Sequence, residues 1–354
     1  MGGRAVAIVD DASARTRAGV MSDVALRVAL DLDGSLESLG NSMTDLAEAL
    51  EATADCSLVR FHSLSRSDEH SARLSLRPLW SPLWRRGRGA AIDALLPDVD
   101  VVHVAGLATP PTRRVPLIIS VDDLRPLRGE TRRYLRISQL RRAVEGGATL
   151  VASTHRARHE VQEVLEIDAS RVAVVPPAVP RVPPVDAGAD LVVNVTGLVD
   201  PLVELLPSLV RFVQPRGARV VVVASEKLNQ RLKLLRLDVG LRSRREAREV
   251  LANARVVLHM SDGARFPSFA IAALSAGVPT LARATSINRE LLSGAAALFS
   301  SDDDVLATLD ELWDNPARRA VTIAAGRDRA SDFAPAVAAQ SYLALYRDVC
   351  RQRA

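Results

Sequence analysis

The sequence is poor in aromatic side chains, lysine and cysteine, and each shortage closes off a class of function. Aromatics make up 3% of the 354 residues, too few for the stacking platforms on which single-stranded nucleic acids lie. No zinc-finger, RNA-recognition or helix-turn-helix pattern compensates. Of 46 basic side chains only Lys227 and Lys233 are lysines, so the positive balance reflects an arginine-rich composition and gives no nucleic-acid signal. Cys56 sits in an apolar strand-like run and Cys350 near the chain end, without a second pair or metal-ligand spacing; a disulfide framework and a cysteine metal site are not expected, and both thiols are expected to be reduced. No apolar run reaches the roughly 18 residues of a spanning helix. The start lacks a basic end, a long apolar run and a small-residue cleavage site, so a cytoplasmic chain is expected.

What remains is the composition of a globular protein, with 48% hydrophobic and 25% charged residues. The length favours two domains. Residues 1–20 carry no periodic pattern and are expected to be a flexible extension. From there, short β-branched runs alternate with helical patterns: VALRVALDL, CSLVRF, DVVHVAG, PLIISVDD, ATLVAST and RVAVVPPAV. A second series follows, LVVNVTG, ARVVVVAS, RVVLHM and PTLARA. Such alternation implies parallel strands with helices on both faces. Between the series, residues 176–184 hold five prolines, the mark of a stiff linker. The expected fold is α/β, two doubly wound Rossmann-like domains facing across a cleft, at 21–175 and 191–332. A linker at 176–190 joins them, and a closing helix at 333–354 returns to the first domain. A small-molecule site belongs in the cleft, at the carboxyl ends of the strands.

The stretch from Ser261 to Arg283, SDGARFPSFAIAALSAGVPTLAR, resembles the donor segment of GT-B retaining glycosyltransferases of family 4. That segment runs Ser, two residues, Glu-Gly-Phe-Gly, a helix bearing a second Glu, then Gly-x-Pro. Ser261, Phe266, Gly277 and Pro279 keep the frame, while Ala264 and Ala272 stand where the family has its carboxylates. Arg289-Glu290-Leu291 resembles the family's Pro-Glu-Val, and DFAPAVAAQSYLALYRDV its closing helix. SVDDLRPLRG resembles the segment that begins Thr-x-His-Asp-Leu, with Asp122 in place of the histidine and with Asp123 and Leu124 retained.

The resemblance implies transfer of a sugar from a nucleotide-sugar, as substrate, to an acceptor with retention and without metal or cofactor. It places donor binding at Gly197, Arg265, Phe266, Ser268, Gly277 and Glu290, the acceptor side at Gly40 and Asn41, and a reaction-centre group at Asp122; His103, which ends the apolar strand of VVHVAG at the cleft side, is the best remaining histidine for a catalytic role. The departures imply a different outcome. Hydrogen bonds to a charged acceptor contribute about 1.5–3 kcal/mol each, and the family's two acids are gone together. The family's Gly-Arg and following Lys are replaced by Gly197-Leu198-Val199-Asp200-Pro201, which puts an acid where a diphosphate would sit. A catalytically impaired protein that serves as a binding or scaffolding partner, for instance of an active homologue, is therefore the alternative.

Several of these residues also have ordinary readings. Arg265 either supplies charge for a diphosphate, fills the site, or lies in a surface loop. Asp122 and Glu290 suit helix starts; Asn41 or Ser42 suits a helix cap; His103 suits a core position satisfied by hydrogen bonds. LRPLWSPLWRRGRG, with Trp80, Trp84, Arg85, Arg86 and Arg88, suits an anionic membrane surface, or tryptophans packed onto the first domain. Residues 125–142 hold seven arginines, of which Arg132, Arg133 and Arg136 can share a helix face toward an anionic acceptor or surface, or toward solvent.

Overall fold

The computed structural model describes residues 25–353 except 34–35, 38–39, 65–70, 73, 75–76, 97, 106–107, 122, 130–132, 186–187 and 198. The extension expected at 1–20 and the candidate Asp122 lie outside the described residues.

Valine-rich runs set the architecture, because a parallel strand covered on both faces must be apolar at successive positions. The first sheet contains β1 (Leu26–Asp31), β4 (Cys56–Phe61), β5 (Val101–Val104), β6 (Leu117–Val121), β7 (Thr149–Ala152) and β8 (Val172–Val174), with β2 (Leu36–Glu37) and β3 (Gly40–Asn41) forming a short antiparallel hairpin after β1. Its order is β4-β1-β5-β6-β7-β8, all parallel. The second contains β9 (Asp190–Thr196), β10 (Val220–Ala224), β11 (Val239–Ser243), β12 (Ala254–Ser261), β13 (Thr280–Arg283) and β14 (Ala297–Phe299). It runs β11-β10-β9-β12-β13-β14, again all parallel. These are the two Rossmann-like domains expected from the alternation, in the GT-B arrangement.

Side-chain alternation along each strand divides the interior into three cores. On one face of the first sheet, Val28, Leu30, Val101 and Ile118 meet Met43, Leu46 and Leu50 of the helix Ser42–Glu51. Ala339, Tyr342, Leu343 and Tyr346 of the helix Pro335–Arg353 complete that core. Their spacing is the apolar stripe of an amphipathic helix, so the chain's last helix rests on its first sheet. Leu191, Val193 and Val195 pack with Leu202, Leu206 and Leu209 on one side of the second sheet. The third core is continuous from Ala29 and Ile119, through Val179 and Val182, to Val192, Val257 and the helix Ser268–Ser275. Apolar packing therefore runs through the junction between the sheets.

His103 belongs to the first of these cores and does not line a cleft. It is fully buried, with Nδ1 2.8 Å from the Tyr346 hydroxyl and Nε2 2.8 Å from Ser120 Oγ. Burial pushes its imidazole down to about 3, so the ring is neutral at physiological pH and serves as a hydrogen-bonded peg for the last helix. Trp84 is also wholly buried, donating from Nε1 to the Ala90 carbonyl at 2.9 Å. The tryptophan segment thus packs onto the first domain and leaves Leu79, 61% exposed, beside exposed Arg85, Arg86 and Arg88. No described helix is long and apolar enough to cross a membrane. Cys56 and Cys350 are free, and burial raises both thiols, Cys350 to about 11.

Replacing Tyr346 with Phe strands a buried His103 nitrogen, which costs about 1–3 kcal/mol. The melting temperature should fall by several degrees; an unchanged melt would show that apolar packing alone anchors the last helix.

Candidate functional site

The candidate site is built from the loop after β12. Asp262 continues the strand by donating its amide to the Thr196 carbonyl at 3.0 Å. Gly263 then turns with φ +68°, its amide bonded to Ser261 Oγ at 3.1 Å, and the Ala264 amide bonds to Asp262 Oδ1 at 3.0 Å. This closed turn points the next residues at the first domain.

Backbone and side-chain contacts join that loop to residues 123–128. Leu124 donates its amide to the Ala264 carbonyl at 3.0 Å, and Asp123 and Arg265 form an antiparallel bridge. Arg265 Nη2 lies 2.8 Å from Asp123 Oδ2, the two side chains being 10% and 19% exposed. Arg128 donates to the carbonyls of Gly263 at 3.0 Å and Asp262 at 3.3 Å while paired with Glu160 at 2.6 Å. Burial raises the Asp123 carboxyl, but hydrogen bonds and charge from Arg125 and Arg265 outweigh that effect and set it at about 2.

The family-pattern positions lie behind this seam. Ala264 is 1% exposed and Ala272 0%, and Ala272 shares a core with Phe266 and Phe269. The helix Ser268–Ser275 is buried at every position through Leu274, the mark of a helix apolar all round. Phe266 stacks edge-on against Phe333 at 5.5 Å. Ser268 is buried, its amide bonded to the Phe266 carbonyl at 3.0 Å.

Gly277 has φ +76° and ends this helix, its amide reaching Leu274 O at 3.0 Å and that of Val278 reaching Ala273 O at 2.9 Å. Its glycine is thus a helix stop in the left-handed region. Gly197, at φ +86°, is pressed against Asp262, whose carboxylate would collide with any Cβ. With Asp200 in the first turn of the following helix, two acids flank the turn expected to cradle phosphate.

Glu290 does cap a helix, but not its own. Its carboxylate accepts from the amides of His155 at 2.7 Å and Arg156 at 2.9 Å, at the start of the helix His155–Leu165 in the first domain. Thr154 satisfies the Ala157 amide of the same turn at 2.9 Å. An anion-binding helix end is thereby filled by the chain's own acid. Gly40 and Asn41 form β3, before the helix Ser42–Glu51.

Sequence reasoning passed over a second polar cluster, at the carboxyl ends of β1 and β4. Asp31 accepts from Ser63 Oγ at 2.6 Å and from the amides of Ser63 and Asp33, both at 3.1 Å. Asp33 accepts from the Leu64 amide and sits 3.2 Å from His62 Nδ1. Burial pushes Asp31 up to about 6 despite the Ser63 bond. The signal was present as Asp-Leu-Asp, residues 31–33, at the carboxyl end of a strand. No group of three or more His, Cys, Asp or Glu among the described residues could hold a metal ion.

Two substitutions test the seam. Ala272→Glu would bury an unpaired carboxylate at a cost of about 3–5 kcal/mol; the expected result is a melting temperature lowered by many degrees. A tolerated glutamate that confers nucleotide binding would mean the helix faces open space. The Asp123 carboxyl titrates lower folded than unfolded, so its contribution is full above about pH 4 and is lost as pH falls through about 2. The stability deficit of Asp123→Asn should therefore be largest near neutrality and vanish toward pH 2. A deficit independent of pH would assign the effect to packing.

No protein-family model and no curated protein matches the chain in sequence. Solved structures match over nearly its whole length. Sucrose-phosphate synthase from Thermosynechococcus elongatus superposes with a TM-score of 0.67 at 15% identity, covering 92% of this chain and 100% of that one. HepE of Anabaena, solved with UDP and glucose, gives 0.62 at 15% identity, covering 91% and 99%. TarM gives 0.57 at 12% identity, covering 70% of this chain and 54% of its own. These are glycosyltransferases of the GT-B fold, and at such identities the likeness is one of fold.

Proposed function

We propose that the chain is a glycosyltransferase-like binding protein in which sugar transfer is impaired, kept as a binding or scaffolding partner. The observation that supports this most directly is the Leu124–Ala264 backbone bond with the Arg265–Asp123 pair beside it. Transition-state stabilisation in such a site requires donors and charges aimed at the leaving diphosphate. Here the loop that would supply them uses its polar groups on the opposite domain. Arg265 neutralises Asp123, and Glu290 occupies a helix amino end. Asp262 and Asp200 would repel phosphate at the Gly197 turn. Methyl groups at Ala264 and Ala272 leave sugar and ribose hydroxyls without charged acceptors.

A second reading is a retaining transferase that uses a UDP-sugar, its cleft opening before the donor enters. It is favoured by the complexes of HepE with UDP and with UDP-glucose.

Release of UDP or GDP from UDP-glucose and GDP-mannose, followed with and without candidate sugar acceptors, separates the two readings. Release at the buffer rate is expected. Acceptor-dependent release that disappears in Asp123→Asn or Glu290→Gln would establish the transferase.

A further inference from the structure

The helix Glu226–Lys233 ends in a tip whose side chains the fold does not use. Ser225 caps its start, accepting from the Leu228 amide at 3.4 Å, and Leu228 and Leu232 enter the core of the second sheet. The opposite stripe is exposed: Lys227, Arg231 and Leu234 follow one another at helical spacing. Leu234 keeps helical dihedrals, φ −70° and ψ −21°, and is 82% exposed. The amides of Leu234, Leu235 and Arg236 then bond to the carbonyls of Arg231, Leu232 and Lys233 at 3.2, 3.0 and 3.4 Å, winding the end into a tight turn. Leu235 is 39% exposed there. Turns ordinarily carry small polar residues, yet this one holds two adjacent leucines in water.

Cations surround the pair. Lys227, Arg231, Lys233 and Arg236 are all exposed, and Asp238 is the one acid from residue 227 to residue 238. Among the described residues only Arg231 of these four pairs with an acid, Asp200 at 3.4 Å, and both of those side chains are more than half exposed. Arg236 takes φ +50°, a region in which glycine rests unstrained and a long side chain does not. A guanidinium is thus kept where the turn alone would favour glycine. The tip also lies away from the seam. Its helix leaves the carboxyl end of β10 and the chain returns to the amino end of β11, whereas the loop after β12 stands at the carboxyl ends.

We propose that this tip docks the second domain on an anionic lipid surface, Leu234 and Leu235 entering the headgroup boundary while Arg231, Lys233 and Arg236 meet lipid phosphates. The combination of groups names the partner: an anionic leaflet is negative at its surface and apolar just beneath. A nucleic acid would answer the cations and leave the leucines in water. Docking of this kind requires neither donor binding nor turnover, so it holds whether sugar transfer is impaired or active. It puts membrane contact on the second domain instead of on the tryptophan segment, whose Trp84 belongs to the core.

The test is sedimentation of the full chain with vesicles of phosphatidylglycerol and of phosphatidylcholine, at low and high salt. Pelleting with phosphatidylglycerol alone is expected, and high salt should weaken it. Leu234→Ser should lower the partition coefficient about fivefold or more, and the double variant Lys233→Glu/Arg236→Glu about fivefold for each charge. Leu79→Ser/Leu135→Ser, which changes two exposed leucines of the first domain, should pellet as the parent does. All three variants alter exposed side chains and should melt with the parent; a large drop for Leu234→Ser would make Leu234 a structural residue and overturn the proposal. Absence of pelleting would overturn it, as would pelleting lost in the first-domain variant and kept in Leu234→Ser. Loss in the charge variant without loss in Leu234→Ser would overturn it as well, marking a purely electrostatic face suited to an acidic protein.

Discussion

One backbone hydrogen bond, from the Leu124 amide to the Ala264 carbonyl, fixes how the two domains meet at the loop after β12. Bonds of this kind contribute about 1 kcal/mol alone. This one is set inside an antiparallel bridge and flanked by the Arg265–Asp123 pair. Arg128 reaches two carbonyls of the same loop, and Glu290 caps a helix of the opposite domain. The last helix adds apolar contacts with the first sheet. A cleft that must open and close during turnover would have to break these contacts together, whereas a binding protein has no such requirement.

The fold was legible because parallel strands write themselves as unbroken valine-rich runs, and their alternation with helical periods leaves few arrangements. The end of the helix Ser268–Ser275 was legible for a related reason: Gly277 must take the left-handed region to stop it. What the sequence could not show is which groups pair over long separations. Asp123 and Arg265 lie 142 residues apart, and Glu290 stands 135 from His155. No local period relates such positions. Glu290 reads locally as an acid at the start of its own helix, and only the packed domains reveal that it serves another.

His103 marks a different limit. In a strand whose faces are both apolar, period-two alternation cannot say which face a histidine occupies, since each phase looks alike. The answer lay in Tyr346, 243 residues onward. Trp84 was similarly ambiguous, because a tryptophan amid arginines has the same local composition whether it enters a bilayer boundary or a core; its burial and its bond to Ala90 place this side chain in the core. Arginine explains why so many charges sit near the junction. Its fork can meet carboxylates and backbone carbonyls together, as Arg128 does with Glu160 and Gly263.

The most direct measurement is hydrogen exchange at the Leu124 amide in the ligand-free chain. If the seam is the resting state, this amide exchanges as slowly as the core strands do and speeds up strongly in Arg265→Ala. Exchange at the rate of an exposed loop, unaffected by that substitution, would mean the domains stand apart in solution and would contradict the account.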